Sequence, residues 1–283
     1  MYLSRRRPLV AAVVALLALS LSPALAYAET PTHDDQTVTG EGGRMGGSDR
    51  LAGPRERSDR NDPAAPAPEQ PPAVLGIDVS GHNENVDWAK HRADGKRFAY
   101  IKATEGSTFQ SSKFSAQYTD SYYAGYVRGA YHFARPDGKP GDVQADFFVD
   151  HGGSWSADGQ TLPGVLDIEG PYFDFDECWG LTPDQMVTWI RAFTTRYVER
   201  TGRQAVIYTG YYWWEKCTGN SAAFGETNPL WLAAWRTTPP EKIPAGWSGG
   251  WTFWQYTDTP LDQNRYAGDY PQLQEYATGG PID

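Results

Sequence analysis

The run Gly164-Val165-Leu166-Asp167-Ile168-Glu169-Gly170 leads from apolar residues into two carboxylates that stand two positions apart. Successive side chains of a β-strand alternate between its faces, so Asp167 and Glu169 should point the same way, about 6.5–7 Å apart along the strand, while Ile168 points toward apolar packing. Two such carboxylates push their pKa values apart and can supply an acid and a base at one pH, as glycoside hydrolysis requires. The alternative is a solvated strand end, because a D-x-E pattern is not specific by itself.

Six further segments have the composition of buried β-strands. With the first run they form the series 75–80, 98–103, 129–134, 164–169, 205–209, 230–235 and 252–256. Helical patterns lie between the earlier strands at 113–126, 142–151 and 183–200, and Thr182 and Pro183 suit the start of the third. Repeated β–α units with near-continuous apolar strands are typical of a parallel sheet covered by helices. We therefore expect an α/β fold, an irregular TIM-like β/α barrel whose last strands carry few helices.

The first 28 residues have the features of a signal peptide. Arg5-Arg6-Arg7 precedes an apolar core at 9–19 that is short for a membrane span, and Ala24-Leu25-Ala26 and Ala26-Tyr27-Ala28 both fit an A-x-A cleavage pattern. An uncleaved anchor is the alternative. Cleavage predicts a secreted protein, extracellular or associated with the cell wall, that has no membrane contact in its mature form.

Residues 29–73 differ in composition from the rest of the chain. They contain no Trp, Tyr or Phe and end in a Pro- and Ala-rich run at 63–72. Such a stretch buries too little apolar surface to offset the entropy of ordering, which predicts a disordered linker, with a pro-segment or wall-spanning spacer as alternatives. Residues 74–283 hold all 11 tryptophans and are long enough for one catalytic domain with a sizeable core.

Charge and cysteine content limit the partners. The formal net charge is −10, and no Lys/Arg-rich cluster occurs in 74–283, which disfavours nucleic acid as a partner. The five histidines show no ligand spacing, so we expect no metal. We also expect no cofactor and a monomer. Cys178 and Cys217 are the two cysteines, and outside the cell a disulfide is the default for such a pair. Two free buried thiols and a metal site are the alternatives.

In a β/α barrel the reactive groups lie at the carboxyl ends of the strands. Polar and aromatic residues occur there repeatedly: Asp78, Lys102, Glu105, His132, Asp167, Glu169, Tyr208, Trp235, Arg236, Trp254, Gln255 and Tyr256. Each has another explanation, such as a hydrogen-bonded core position for His132, and core packing accounts for part of the Trp and Tyr content. Rings beside carboxylates also suit a sugar, whose C–H faces stack while its hydroxyls form hydrogen bonds. The residues expected to contact substrate are Tyr131, Phe133, Tyr208, Trp235, Arg236, Trp254 and Gln255.

An ordered set of motifs resembles one enzyme family. The L-D-I-E run is preceded by G-I-D-V-S-G-H-N at 76–83, V-D-W at 86–88, F-A-Y-I-K-A-T-E-G at 98–106 and G-A-Y-H-F-A at 129–134. It is followed by V-I-Y-T at 206–209, P-L-W-L-A at 229–233 and F-W-Q-Y-T at 253–257. Together these motifs resemble the glycoside hydrolase family 25 lysozymes, the Chalaropsis-type N-acetylmuramidases, over essentially all of 74–270. The cysteine pair and T-P-D-Q-M-V-T-W-I-R at 182–191 resemble the secreted actinomycete members.

The resemblance implies a role for each of four carboxylates. Glu169 would be the general acid that protonates the leaving glycosidic oxygen. Asp167 would orient and charge-stabilise the substrate's own N-acetyl group as this closes on the anomeric carbon, and Asp78 and Asp262 would tune the charge of the pair and hold hydroxyls or water. This neighbouring-group route retains configuration and needs no protein nucleophile. An inverting route, in which Asp78 or Asp262 activates water, stays open.

The chain departs from the family pattern at two places. Asn83 stands where the family usually has Gln, and Glu84 follows it where glycine is common. The loop after Trp254 is also short, so Asp258 competes with Asp262 as the late aspartate of the family. The D-x-N-x-[FY] context that begins at Asp262 favours that residue.

Three functions are consistent with these features. The leading one is a secreted, bacteriolytic lysozyme (a 1,4-β-N-acetylmuramidase) that hydrolyses the β-1,4 bond between N-acetylmuramic acid and N-acetylglucosamine in the glycan strands of peptidoglycan. A chitinase-like hydrolase is the enzymatic alternative, although its longer D-x-x-D-x-D-x-E run is absent. A non-catalytic wall-binding module is the third, although such a module has no need of both Asp167 and Glu169.

Overall fold

The computed structural model describes Met45 and residues 73–171 and 176–280. The strands in these ranges are β1 Val74–Val79, β2 Lys96–Glu105, β3 Phe109–Gln110, β4 Val127–Phe133, β5 Val165–Asp167, β6 Val206–Gly210, β7 Leu230–Ala233, β8 Phe253–Thr257 and β9 Gln263–Tyr266. Their order in the sheet is β1-β9-β8-β7-β6-β5-β4-β2-β3, and β1 also pairs with β2. That last pairing closes eight of the strands into a barrel, and β3 is a short arm on β2.

The parallel strands of the barrel are the seven that the sequence predicts. The eighth, β9, is antiparallel to both β1 and β8 and was not predicted. Its four residues, Gln263–Tyr266, are mainly polar, and a search for apolar runs therefore passes over them. The prediction of an irregular α/β barrel is confirmed.

The α-helices of the described ranges lie outside this barrel. They are α1 Trp88–Ala93, α2 Phe114–Tyr123, α3 Gly141–Phe148, α4 Pro183–Thr201, α5 Tyr211–Thr218 and α6 Tyr270–Thr278. The sequence predicts α2, α3 and α4 but not the three others, each of at most nine residues. α4 starts as expected, because the Thr182 side chain accepts a hydrogen bond from the Gln185 N–H and Pro183 stands in the first turn. No helix joins β7 to β8 or β8 to β9, so the last part of the barrel does carry few helices.

The alternation of side chains along β5 separates two apolar layers. Val165 belongs to the cluster that fills the barrel interior, whereas Leu166 and Ile168 belong to the layer between the barrel and its helices. Full burial of each large apolar side chain stabilises the fold by about 1.5–3 kcal/mol. Asp167, between Leu166 and Ile168, therefore points to the interior side of the strand at its carboxyl end.

The predicted signal peptide and nearly all of the predicted linker lie outside the described residues. Met45, within that linker, is buried and belongs to the apolar cluster of the barrel interior. In the described ranges, no helix combines the length and the apolar character that crossing a membrane would require.

Candidate active site

Four buried carboxylates lie at one mouth of the barrel. Asp78 is the next-to-last residue of β1, Asp167 is the last residue of β5, and Glu169 follows β5 by two positions. Asp262 directly precedes β9, whose antiparallel direction brings its start to the same edge, and the Asp78 N–H donates to the Asp262 carbonyl at 3.2 Å. None of the four is more than 4% exposed. The fold therefore assembles the four acids that the sequence singles out.

Asp167 is fully buried, and neither of its carboxyl oxygens has a hydrogen-bond partner among the described residues. Burial raises its pKa well above the ordinary value for an aspartate. The charge of Glu169 raises the pKa of Asp167 further, Lys102 lowers it, and Asp78 and Glu105 add smaller increases. A carboxyl group in this state has hydrogen-bonding capacity that a bound molecule can use.

Glu169 lies on a loop that is fastened at two points. The indole Nε1 of Trp179 donates to the Glu169 carbonyl at 2.7 Å, and Trp179 is buried with a φ of 58°, a left-handed conformation that is costly for a non-glycine residue. The preceding residue, Cys178, forms the predicted disulfide with Cys217 in α5. A bridge across 39 positions stabilises a fold by about 2–4 kcal/mol. The loop that carries the acid is thus anchored to the barrel wall and to a helix.

Asp78, across the mouth, has two amide donors. The Nε2 of Gln255 and the Nδ2 of Asn264 donate to its Oδ1 at 3.1 and 2.7 Å. Gln255 lies in β8 and Asn264 in β9, and both are fully buried. Hydrogen bonds from N–H groups stabilise a carboxylate in its charged form. This edge of the mouth therefore favours a fixed, charged acceptor.

A buried ion cluster lies beside the mouth. The Lys102 ammonium is 2.7 Å from Glu105, and the Arg135 guanidinium is 3.4 Å from the other oxygen of Glu105. The register of β2 against β4 shifts between Lys102 and Thr104. This irregularity puts Lys102 and Glu105, three positions apart, on one side of the strand, where a regular strand would separate them. The sequence marked both residues as strand-end groups, but their pairing depends on the shift.

His132 is a core residue, as the alternative interpretation of the sequence had it. Its Nδ1 lies 2.8 Å from Thr104 Oγ1 and its Nε2 lies 3.0 Å from Gln144 Oε1. Since the Gln144 amide N–H₂ donates to two backbone carbonyls, its Oε1 accepts, and the histidine Nε2 carries the proton. Burial lowers the pKa of His132 to about 3, so the ring is neutral. It holds strands and helices together and takes no part in the mouth.

The residues predicted to contact substrate fall into two groups. Tyr131, Tyr208 and Gln255 are buried toward the interior, and Phe133 lies under the Lys102 ammonium at 5.3 Å. The Tyr208 hydroxyl and the Trp235 indole both donate to Gln255 Oε1, at 3.0 and 2.9 Å. The half-buried Trp235 and the exposed Arg236 lie in the loop that continues β7 at the mouth. The first group therefore has six members, which lie along the interior wall or at the mouth: Tyr131, Phe133, Tyr208, Trp235, Arg236 and Gln255.

Trp254 is the exception. It is 1% exposed, packs against Trp251 with ring centroids 5.6 Å apart, and donates to the Ala234 carbonyl at 2.7 Å. Neighbouring residues of a strand face opposite sides, and Gln255 occupies the interior side of β8. The structure thus places Trp254 on the outer wall and not with the carboxylates.

Sequence reasoning missed an aromatic pair at the rim of the mouth. Tyr211 and Tyr212 begin α5 directly after β6, and the Lys242 ammonium lies over their rings at 5.6 and 5.0 Å. Tyr212 is 45% exposed. The rule that strand ends carry the site could have found them, since they follow V-I-Y-T-G at 206–210 directly.

The arrangement suits proton transfer to a bound substrate. Within the described ranges, no group of three or more His, Cys, Asp or Glu is placed to hold a metal ion. A buried acid, a carboxyl group without partners and a clamped carboxylate together can protonate a leaving group and stabilise positive charge that develops beside it.

Known proteins are similar to this chain in sequence and in fold. The family model for "Glycosyl hydrolases family 25" matches residues 77–264. Lysozyme M1 from Streptomyces globisporus is 42% identical over 275 residues, which are 92% of this chain and 90% of that protein. An N,O-diacetylmuramidase from Chalaropsis sp is 44% identical over 212 residues, 73% of this chain and 100% of that protein. The structure of a family GH25 lysozyme from Aspergillus fumigatus has a TM-score of 0.71 at 44% identity and covers 74% of this chain and 100% of that one.

Proposed function

We propose that this chain, which belongs to glycosyl hydrolases family 25 and is a peptidoglycan-cleaving muramidase, uses Glu169 as its general acid and Asp167 as the partner of the substrate's N-acetyl group. The proposal is supported above all by one feature of the site. Two buried acids stand together at the carboxyl end of β5, and one of them, Asp167, has no hydrogen-bond partner among the described residues. The bond to be cleaved is the β-1,4 linkage between N-acetylmuramic acid and N-acetylglucosamine.

In the first step, the Glu169 carboxyl group donates its proton to the glycosidic oxygen as the bond from that oxygen to the anomeric carbon breaks. The carbonyl oxygen of the substrate's acetamido group attacks the same carbon and closes a five-membered ring. Asp167 accepts a hydrogen bond from the acetamido N–H and stabilises the positive charge that spreads to this nitrogen. Because the site is buried, this interaction is much stronger than it would be in water.

In the second step, the Glu169 carboxylate takes a proton from water as the water opens the ring. Two inversions at the anomeric carbon give net retention. Asp78 and Asp262 hold substrate hydroxyls or the attacking water. In the alternative, inverting route, one of these two activates water directly. Proton NMR of freshly released product distinguishes the routes, since a β-anomer is expected here and an α-anomer would contradict the neighbouring-group route.

The experiment that tests the proposal is digestion of purified peptidoglycan by the mature chain, with borohydride labelling of the new reducing ends. Glu169→Gln is compared with wild type and with Glu177→Gln. Glu177 is a suitable control because it lies on the same loop, is half-buried and pairs with Lys216 outside the mouth. We expect muramitol from wild type and from the control, and a loss of about 10²–10⁴-fold in rate for Glu169→Gln.

Other outcomes would assign other functions. Glucosaminitol in place of muramitol would mean cleavage of the other glycosidic bond. Release of N-acetylglucosamine oligomers from chitin at a comparable rate would favour the chitinase-like alternative. No new ends, with protein that still sediments with the wall, would favour a binding module.

We also propose that the mature chain acts outside the cell as a monomer and does not bind nucleic acid. The basic N-terminal triplet with its apolar core, the disulfide and the net charge of −10 support this. Sequencing the N-terminus of protein recovered from culture medium checks it, and the expected first residue is Tyr27 or Glu29.

A further inference from the structure

We propose that Gln255 and Asn264, together called the amide clamp, are positioning residues that hold the carboxylate of Asp78 in one orientation. Buried donors on neighbouring strands determine which end of each amide faces Asp78. The inference rests on the proposed placement of the chemistry at the barrel mouth and adds residues that do not touch the reacting atoms.

Both bonds of the amide clamp end on the same atom. The Gln255 and Asn264 amide nitrogens lie 3.1 and 2.7 Å from Oδ1 of Asp78. Rotation of the Asp78 side chain would break both bonds at once, inside a site that is buried from water. Hydrogen bonds to a charged group are stronger than those between neutral groups, so this orientation is strongly preferred.

The direction of the clamp follows from donor chemistry. Trp231 Nε1 donates to Asn264 Oδ1 at 3.0 Å, and Trp235 Nε1 donates to Gln255 Oε1 at 2.9 Å. An indole N–H can only donate, so the amide oxygens must face the tryptophans and the amide N–H₂ groups must face Asp78. The choice between the two ends of an amide, which atomic positions alone rarely settle, is here fixed by the partners.

Tyr208 completes this arrangement. Its hydroxyl donates to the same Gln255 oxygen at 3.0 Å. The donors come from β6, β7 and the loop after β7, and the clamp itself comes from β8 and β9. The Tyr208 hydroxyl and the Trp235 indole both hold the Gln255 amide, which gives these two residues a role in orienting Asp78.

The amide clamp also affects Asp167, on the other side of the mouth. The charge of Asp78 is one of the causes that raise the pKa of Asp167. A clamp that keeps Asp78 charged and stationary therefore helps to keep Asp167 in its unusual state. Weakening the clamp should change the rate of the chemical step and its pH dependence more than it changes substrate affinity.

The test compares kcat, KM and the pH profile of kcat on soluble peptidoglycan fragments. Asn264→Leu and Gln255→Met remove the donors with little change in volume. Trp231→Phe keeps both donors but removes the indole N–H that orients Asn264, together with part of a buried ring. We expect kcat to fall at least about tenfold for the first two and about threefold for the third, with KM changed less than about twofold. In each variant the acid limb of the profile should move to lower pH, because an Asp78 carboxylate that is held less firmly raises the pKa of Asp167 less.

Trp247→Phe is the matched control. Trp247 is also buried, and its Nε1 donates to the Asn228 carbonyl at 2.7 Å, in the layer outside the barrel. It should lose stability as Trp231→Phe does but keep the wild-type kcat and pH profile. An acid limb that stays at the wild-type position in Trp231→Phe and Asn264→Leu would overturn the proposal, as would a Trp247→Phe profile that moves with theirs.

A measurement on the wild-type protein covers the case in which Asn264→Leu does not fold. The side-chain ¹⁵N resonance of Asn264 should shift with pH along the acid limb of kcat, and a resonance that does not titrate would overturn the proposal. Activity retained by Glu169→Gln would count against the proposed function alone, since the clamp variants are judged by the pH profile.

Discussion

The two sides of the barrel mouth treat a buried aspartate in opposite ways. Asp167, at the end of β5, has no hydrogen-bond partner among the described residues, and its pKa is raised well above the ordinary value by burial and by the charge of Glu169. Asp78, at the end of β1, receives two amide N–H groups. Both residues are at most 1% exposed. Burial alone therefore does not determine the chemical role of a carboxyl group. The hydrogen-bond donors within its reach determine that role.

The different pairing of the strands explains the contrast. β5 lies between two parallel strands, β4 and β6, and Asp167 is in register with Tyr208 of β6. β8 and β9 are antiparallel, and their register sets Gln255 directly opposite Asn264. Residues that are opposite each other in an antiparallel pair project side by side, so both amides converge on the end of β1.

The largest effect on kcat is expected when the carboxyl group of Asp167 is replaced by an amide. Asp167→Asn should reduce kcat by about 10²–10³-fold, because an amide cannot form the carboxylate that stabilises positive charge on the substrate's acetamido group. It should also raise the Tm at pH 7 by about 2–4 °C for each kcal/mol gained. A carboxyl group whose folded pKa is raised costs the folded state stability as the pH rises above the unfolded value, so the gain in Tm should vanish below about pH 4 and grow above it.

Asp158→Asn is the control for this change. Burial raises the pKa of Asp158, but hydrogen bonds from Gln160, Thr161 and Ser156 outweigh it and lower the pKa overall. Its folded state therefore gains stability above the unfolded pKa, and the variant should show a lower Tm at pH 7. Thermal unfolding of both variants between pH 3 and pH 8 measures the two signs, and a Tm for Asp167→Asn that falls with rising pH relative to wild type would refute the state assigned to Asp167.

A matched pair of apolar substitutions sharpens the contrast in stability. Asp167→Leu leaves no described donor without its acceptor, whereas Asp78→Leu strands the amide N–H₂ groups of Gln255 and Asn264. Since a buried donor without a partner costs about 1–3 kcal/mol, Asp78→Leu should be less stable than Asp167→Leu by about 2 kcal/mol or more. Urea unfolding at pH 7 gives this difference, and equal free energies of unfolding would mean that the two edges are alike.

The smallest effect is expected on the outer wall. Trp254→Phe removes a hydrogen bond to the Ala234 carbonyl but touches no carboxylate of the mouth. We expect kcat/KM within about twofold of wild type. The free energy of unfolding should fall by about 1–3 kcal/mol, because a hydrogen bond is lost and a smaller ring fills a buried position. Rate measurements on the same soluble fragments check this, and a tenfold loss of kcat/KM would return Trp254 to the substrate site.

Much of the barrel could be predicted from the chain because its signals are local. Seven apolar strand patterns, the cap of α4 and the D-x-E run each depend on residues close in sequence. β9 escaped because Gln263–Tyr266 is held as a strand by its two neighbours and not by its own composition. The short helices α1, α5 and α6 escaped for a related reason, since helices of at most nine residues owe their stability to packing.

The sequence by itself determined the residue types of the site and the side of β5 on which Asp167 stands, since a period of two residues needs no knowledge of the fold. It also marked Asp78 and Asp262, which lie at the same mouth. Only the tertiary structure decided which hydrogen-bond donors and charges surround each of these acids. The donors to Asp78 come from positions 177 and 186 residues away along the chain, and the pairing of Lys102 with Glu105 depends on a shift in strand register. Hydrogen-bond supply and local dielectric arise from which strands become neighbours, and no local pattern contains that information.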